Sequence, residues 1–130
     1  MSEIISQTSG IRLGDEASFP VVKDFLLVAL VDNFDAHDLE TLETRLLNSL
    51  SSDRRLRGAL FNCSDITTSD GPDLLRLEGL FKAVRLLGGC VGLCGINPGL
   101  AILIIRTGLK LDGITIAADL DDLLINLERG

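Results

Sequence analysis

At 130 residues, with 46% hydrophobic and 24% charged residues, the chain has the length and composition of one globular domain with a real core. Twelve Lys and Arg against nineteen Asp and Glu give a formal charge of −7, which argues against nucleic acid, because binding a phosphate backbone needs clustered cations. There is no Trp or Tyr to stack bases or sugars, no apolar run of the roughly 18 to 20 residues that span a membrane, and no signal-peptide pattern at Met1-Ser-Glu-Ile. A soluble, cytoplasmic protein with neither nucleic-acid nor membrane partners is therefore expected.

Residues 1–17 are polar and aperiodic, contain Gly10 and Gly14, and read as a loose tail with room for a short strand at 11–13; the domain proper is residues 18–130. Phe19-Pro-Val-Val and the run 25–31 are β-rich stretches around Lys23-Asp24, a tight hairpin pattern. A turn over 32–37, holding the sole histidine, His37, precedes a helix over 38–50. That helix is marked by Leu39, Leu42, Leu46, Leu47 and Leu50, with Asp35 and Asp38 as an N-cap pair. Arg54, Arg55 and Arg57 form the one dense basic cluster, read as a solvated turn.

The stretch 58–72, GALFNCSDITTSDGP, organises the rest. Gly58 to Phe61 predict a short buried strand, residues 62–70 a polar loop, and Gly71-Pro72 the start of a helix over 72–87. Leu74, Leu77, Phe81 and Val84 line one face of that helix, and Glu78 and Lys82 form an i,i+4 pair on another. Asp65, Thr67, Thr68, Ser69 and Asp70 thus crowd a helix mouth whose free N–H groups and positive dipole end favour anions. An ordinary N-cap cluster explains the same residues.

Gly88-Gly89 ends the helix and a strand over 90–95 follows. Its glycines do not fit a G-x-G-x-x-G phosphate loop, and close packing of a helix accounts for them better. Asn97-Pro98 opens a third helix carrying Leu100, Ala101, Ile104 and Ile105, which stops at Thr107-Gly108. A last strand covers 114–117. Asp119 then caps a terminal helix with Leu120, Leu123, Leu124 and Leu127. Cys63, Cys90 and Cys94 cannot all pair within one chain and lack zinc-ligand spacing; buried reduced thiols are expected, and no metal or cofactor. Phe25, Phe34 and the leucine-rich helices are expected to leave an apolar face for a homo-oligomer.

The order β-β-α-β-α-β-α-β-α predicts an α/β fold, a mixed β-sheet with about four helices packed against it. That order, and several segments, resemble the STAS domain (sulfate transporter and anti-sigma-factor antagonist). Phe19-Pro-Val-Val-Lys-Asp-Phe-Leu-Leu-Val is similar to its opening hairpin. Arg85-Leu-Leu-Gly-Gly is similar to the end of its second helix, and Gly95-Ile-Asn-Pro-Gly-Leu-Ala through Thr107-Gly-Leu-Lys-Leu to its third helix and following turn. The last run resembles the stressosome subgroup and, without a fused sensory domain, its small scaffold subunit of the RsbS type.

The resemblance implies a non-enzymatic switch that co-assembles with STAS paralogues and holds a switch kinase until that kinase phosphorylates it. The family's acceptor is a serine just after an aspartate at the mouth of the second helix. Here that aspartate aligns with Asp70 and the acceptor with Gly71, which cannot be phosphorylated. Three readings stay open: Ser69 acts as acceptor with Thr68 second, the subunit is a constitutive binder, or residue 71 has been changed. Asp65, Asp70, Gly71 and Asp73 are the implied partner-binding residues. A free anti-sigma-factor antagonist with one kinase partner is the alternative, and a small enzyme built on Asp65 and Asp70 a more remote one, lacking a paired His or nucleophile–base set.

Overall fold

The computed structural model describes residues 19–31, 36–66 and 71–129. Among these the elements run β1 Val21–Val22, β2 Phe25–Val31, α1 Ala36–Ser52, β3 Gly58–Asp65, α2 Gly71–Leu86, β4 Cys90–Cys94, α3 Pro98–Thr107, β5 Thr115–Ala117 and α4 Leu120–Arg129. The expected strand at 11–13, the Asp35 cap and Phe34 lie outside the described residues.

The five strands form one mixed sheet in the order β1-β2-β3-β4-β5, with β1 antiparallel to β2 and all other pairs parallel. Lys23 and Asp24 make the hairpin turn with φ of 51° and 70°, both left-handed, the conformation whose twist matches the strands it joins. The Asp24 carbonyl accepts from the Arg57 N–H at 2.7 Å, so the turn is fastened to the entry of β3.

Parallel strands in sequential order, joined by right-handed crossovers, place their connecting helices on one face. Leu26, Val28 and Leu30, then Ala59, Phe61 and Cys63, then Val91 and Leu93 point to that face. They pack with Leu42 and Leu46 of α1, Leu77, Phe81 and Val84 of α2, and Leu100 of α3. Phe25, Leu60 and Cys94 belong to a second cluster closed by Leu123 of α4. Gly92 allows this second contact: a Cβ there would lie 3.0 Å from side-chain carbons of both Leu123 and Leu60. The close helix approach expected of these glycines is found at this position.

Four local expectations change. β3 does not stop at Phe61 but continues to Asp65, because Asn62 is paired on both sides, with Ala29 and Cys94, and Cys63 turns inward. Ala29 opposes Asn62 and Val31 opposes Asp65, so β3 carries one extra residue there, a bulge that bends its end. His37 lies within the first turn of α1, exposed, rather than ahead of the helix. Phe25 presents no apolar face: it is 1% exposed, with the Arg57 guanidinium 4.5 Å above its ring. All three cysteines are free, but only Cys63 and Cys94 are buried. Cys90 is exposed, because it opens β4 at the edge of the helix layer. Burial, then the neighbouring Cys94, pushes the Cys63 thiol up to about 12; burial, then Asp119, raises Cys94.

Glu78 meets Lys82 at 3.2 Å as the spacing implies, and also accepts from the Lys110 N–H at 3.2 Å, tying α2 to the segment after α3. The Lys110 backbone bond first, then Lys82, hold its carboxyl below the ordinary glutamate value. A depressed folded-state pKa gives stability that is present above the unfolded value and lost as pH falls through the folded one. Glu78→Gln is therefore expected to melt below the parent at neutral pH and level with it in acid. Thermal melts of both proteins across that range check this, and an equal difference at every pH contradicts it.

Candidate partner-binding site

At their C-terminal ends the parallel strands hand the chain to helices, and the N-termini of α2 and α3 open at this same edge. Each helix start leaves N–H groups without intrahelical partners and carries the positive end of its dipole.

The edge is built tightly. Asn62 Oδ1 accepts from the Ser64 N–H at 3.0 Å and from Ser64 Oγ at 2.6 Å, folding the end of β3 on itself at the bulge. Gly95, with φ of 78°, lies directly against this pair. A Cβ on it would run into Ser64 Oγ and stand 2.8 Å from Asn62 Oδ1 and 2.9 Å from the Ser64 nitrogen. Asn97 then joins the two turns. Its Oδ1 caps α3 by accepting from the Leu100 N–H at 2.8 Å, and its Nδ2 donates to the Ile66 carbonyl at 3.0 Å. Pro98 fits the first helical position, where no N–H is needed. Ile66, 2% exposed, anchors the start of the passage from β3 to α2 in the core.

Of the residues singled out from the sequence, Asp65 is exposed at the last position of β3, Gly71 is the first residue of α2, and Asp73 lies in its first turn. Thr67, Thr68, Ser69 and Asp70, between Ile66 and Gly71, lie outside the described residues. The structure thus brings Asp65 and the start of α2 to the two ends of one short passage. Sequence reasoning missed Asn62, Ser64 and Gly95, and saw Asn97 only as a cap. The GINP pattern signals the cap; the bond to Ile66 is tertiary and leaves no mark in the sequence. Among the described residues no group of three His, Cys, Asp or Glu side chains is placed to hold a metal ion. Nor is any helix long and apolar enough to cross a membrane.

A family model described as the STAS domain matches residues 16–123. The chain belongs to the STAS family. A serine-to-glutamate variant of RsbS from Moorella thermoacetica shares the fold at 24% identity, with 88% of this chain and 97% of that one covered and a TM-score of 0.74. A structure described as the molecular architecture of the stressosome, a signal integration and transduction hub, matches at 25% identity, 86% and 96% coverage, and a TM-score of 0.73. The phosphorylated form of the Bacillus cell fate determinant SpoIIAA shares the fold more loosely, at 15% identity, 86% and 100% coverage, and a TM-score of 0.58. In this STAS domain the helix mouth after β3 is thus the second-helix mouth at which the sequence resemblance puts the family's switch.

Proposed function

We propose that this STAS protein is a non-enzymatic scaffold and switch subunit of a bacterial stress-signalling assembly. In this reading it works in the cytoplasm without a cofactor, co-assembles with STAS paralogues and with copies of itself, and sequesters a switch serine/threonine kinase upstream of sigma-factor control. The observation that supports the reading best is the stapled edge: Asn97, Gly95 and the Asn62–Ser64 pair fix the end of β3, from which the chain runs on to Thr68, Ser69 and α2. The likeness to the stressosome structure at 25% identity supports a scaffold, with a free antagonist of a single kinase as the alternative. Exposed Ile102 and Ile105 on α3, at 51% and 79%, offer apolar surface for paralogues in place of Phe25.

The switch follows from charge. A phosphate on Ser69 or Thr68 adds roughly −1.5 to −2 charges at neutral pH. The α2 N-terminus accommodates that charge locally, while Asp65, Asp70 and Asp73 add to the negative potential that a docked kinase meets. Gly71, at the aligned acceptor position, leaves the neighbouring hydroxyls as the candidates. Ser69→Asp, or Gly71→Glu, is expected to weaken kinase binding at least about tenfold with the melting temperature unchanged.

The decisive experiment incubates the protein with the cognate switch kinase and ATP, maps phosphate by mass spectrometry, and titrates binding in parallel. Phosphate on Ser69 or Thr68 with loss of binding supports a switch relocated by two or three residues. Tight binding without phosphate supports a constitutive scaffold. No kinase binding, with a single small complex on size exclusion in the presence of a paralogue, overturns the scaffold reading.

A further inference from the structure

At the opposite edge of the sheet, where the parallel strands begin, a cleft of about 690 Å³ opens between the ends of α1 and α2 and the start of β4. That volume is within the range of small-molecule sites. Leu50, Leu56 and Leu87 give it an apolar wall, Arg54 and Arg57 also line it, and the chain at Gly88, Gly89 and Cys90 closes its end. The cleft shares none of these residues with the partner-binding edge.

The three arginines of the turn before β3 are not equivalent. Arg55 is engaged by Asp53 at 3.1 Å. Arg57 lies over the Phe25 ring and donates from Nη2 to the Lys23 carbonyl at 3.3 Å. Arg54 alone of the three makes no hydrogen bond or ion pair with another described residue. In a chain of net charge −7, an uncommitted guanidinium beside a leucine wall is a local inversion of the surface potential. The C-terminal ends of α1 and α2 also face this edge, and their dipoles disfavour an anion placed away from the arginines. That arrangement selects a ligand with a single negative group and an apolar body over a polyanion.

We propose that this cleft binds a small amphipathic monocarboxylate, its carboxylate on Arg54 and its hydrocarbon chain along Leu50, Leu56 and Leu87. A charge-assisted, fork-shaped contact holds the head, and burial of the chain supplies the remaining affinity.

The test uses the full chain and decanoate as the probe, with decanol (chain without charge) and acetate (charge without chain) as the other arms. The readouts are calorimetric affinity and the shift in melting temperature on adding each probe. The expected result is saturable decanoate binding that raises the melting temperature, with acetate and decanol ineffective. Arg54→Gln is expected to weaken binding roughly tenfold. Leu87→Glu, at a half-exposed position that tolerates a charge in folding, is expected to abolish it. Absence of saturable decanoate binding, equal binding of decanol, or an Arg54→Gln protein that binds like the parent each overturns the proposal. A fall in melting temperature for Arg54→Gln with decanoate affinity intact assigns Arg54 to complementing the α1 terminus and overturns it too.

Discussion

Phe61→Ala is expected to remove about 3–5 kcal/mol of stability. On the scale of the roughly 5–15 kcal/mol that holds a domain folded, this leaves much of the protein unfolded under mild conditions. Phe61 is fully buried in the middle of β3, between Val28 of β2 and Leu93 of β4, and every helix of the larger layer packs on the cluster it belongs to. Its ring is 5.1 Å from that of Phe81 at an angle of 59°, an edge-tilted pair worth about 0.5–1.5 kcal/mol beyond area burial. Truncation forfeits the transfer energy, the ring pair and the packing of the cavity left behind. A urea titration checks this through its midpoint. Ile105→Ala is the control: its side chain is 79% exposed, so its midpoint should stay within about 0.5 kcal/mol of the parent. Equal losses in the two variants would mean that the core is not where the structure places it.

Why the β3 core was visible in the sequence, and its end was not, has one physical origin. Ala59, Leu60 and Phe61 form a continuous apolar run because both faces of a central strand are covered, by α1 and α2 on one side and Leu123 of α4 on the other. From Asn62 onward only the inward face stays covered, at Cys63, while Asn62, Ser64 and Asp65 turn polar and the hydrogen-bonded pairing continues to Asp65. Composition reports burial, and pairing is invisible to it. The same separation explains the cysteines. Cys90 and Cys94 stand four residues apart on one strand, so spacing treats them alike, but one is at the open end of β4 and the other under α4.

Helix ends were more legible, since their signals are local. Asn97-Pro98, Gly108 with φ of 76°, and Asp119, which accepts from the Asp122 N–H at 2.9 Å, all do what their residue types imply. The site was legible only in its outline. Asp65 and Gly71 bracket a helix mouth that sequence spacing can find. What fixes that mouth is a contact between two βα turns more than thirty residues apart, Asn97 to Ile66, and a glycine whose missing side chain leaves room for Ser64. Neither a tertiary hydrogen bond nor a required absence has a periodicity to read.

Gly58 and Gly95 show how the two edges of the sheet differ when the same methyl group is added. At Gly58 a Cβ would collide with the backbone of Cys90 on the adjacent strand, running into its carbonyl oxygen and lying 2.8 Å from its carbonyl carbon. Backbone cannot swing aside as a side chain does, so β3 and β4 must part where they begin. The bond from the Cys90 N–H to the Arg57 carbonyl, 2.9 Å long, would be broken with them. Gly58→Ala is therefore expected to cost about 3 kcal/mol or more, with the whole domain destabilised.

At Gly95 two of the three nearest obstructions are the side-chain oxygens of Ser64 and Asn62, which can rotate away. Gly95→Ala should then cost about 2 kcal/mol, largely the penalty of placing a Cβ in the left-handed region at φ of 78°. The energy falls on the Asn62–Ser64 pair at the end of β3, from which the chain runs on to α2. Under the function proposed above, the expected outcome is a folded Gly95→Ala protein with weakened kinase binding, beside a Gly58→Ala protein that loses binding only as it loses structure. Chemical denaturation and binding titrations on the two variants separate these effects. Full affinity in a folded Gly95→Ala protein would show that partners do not depend on the geometry held by that glycine.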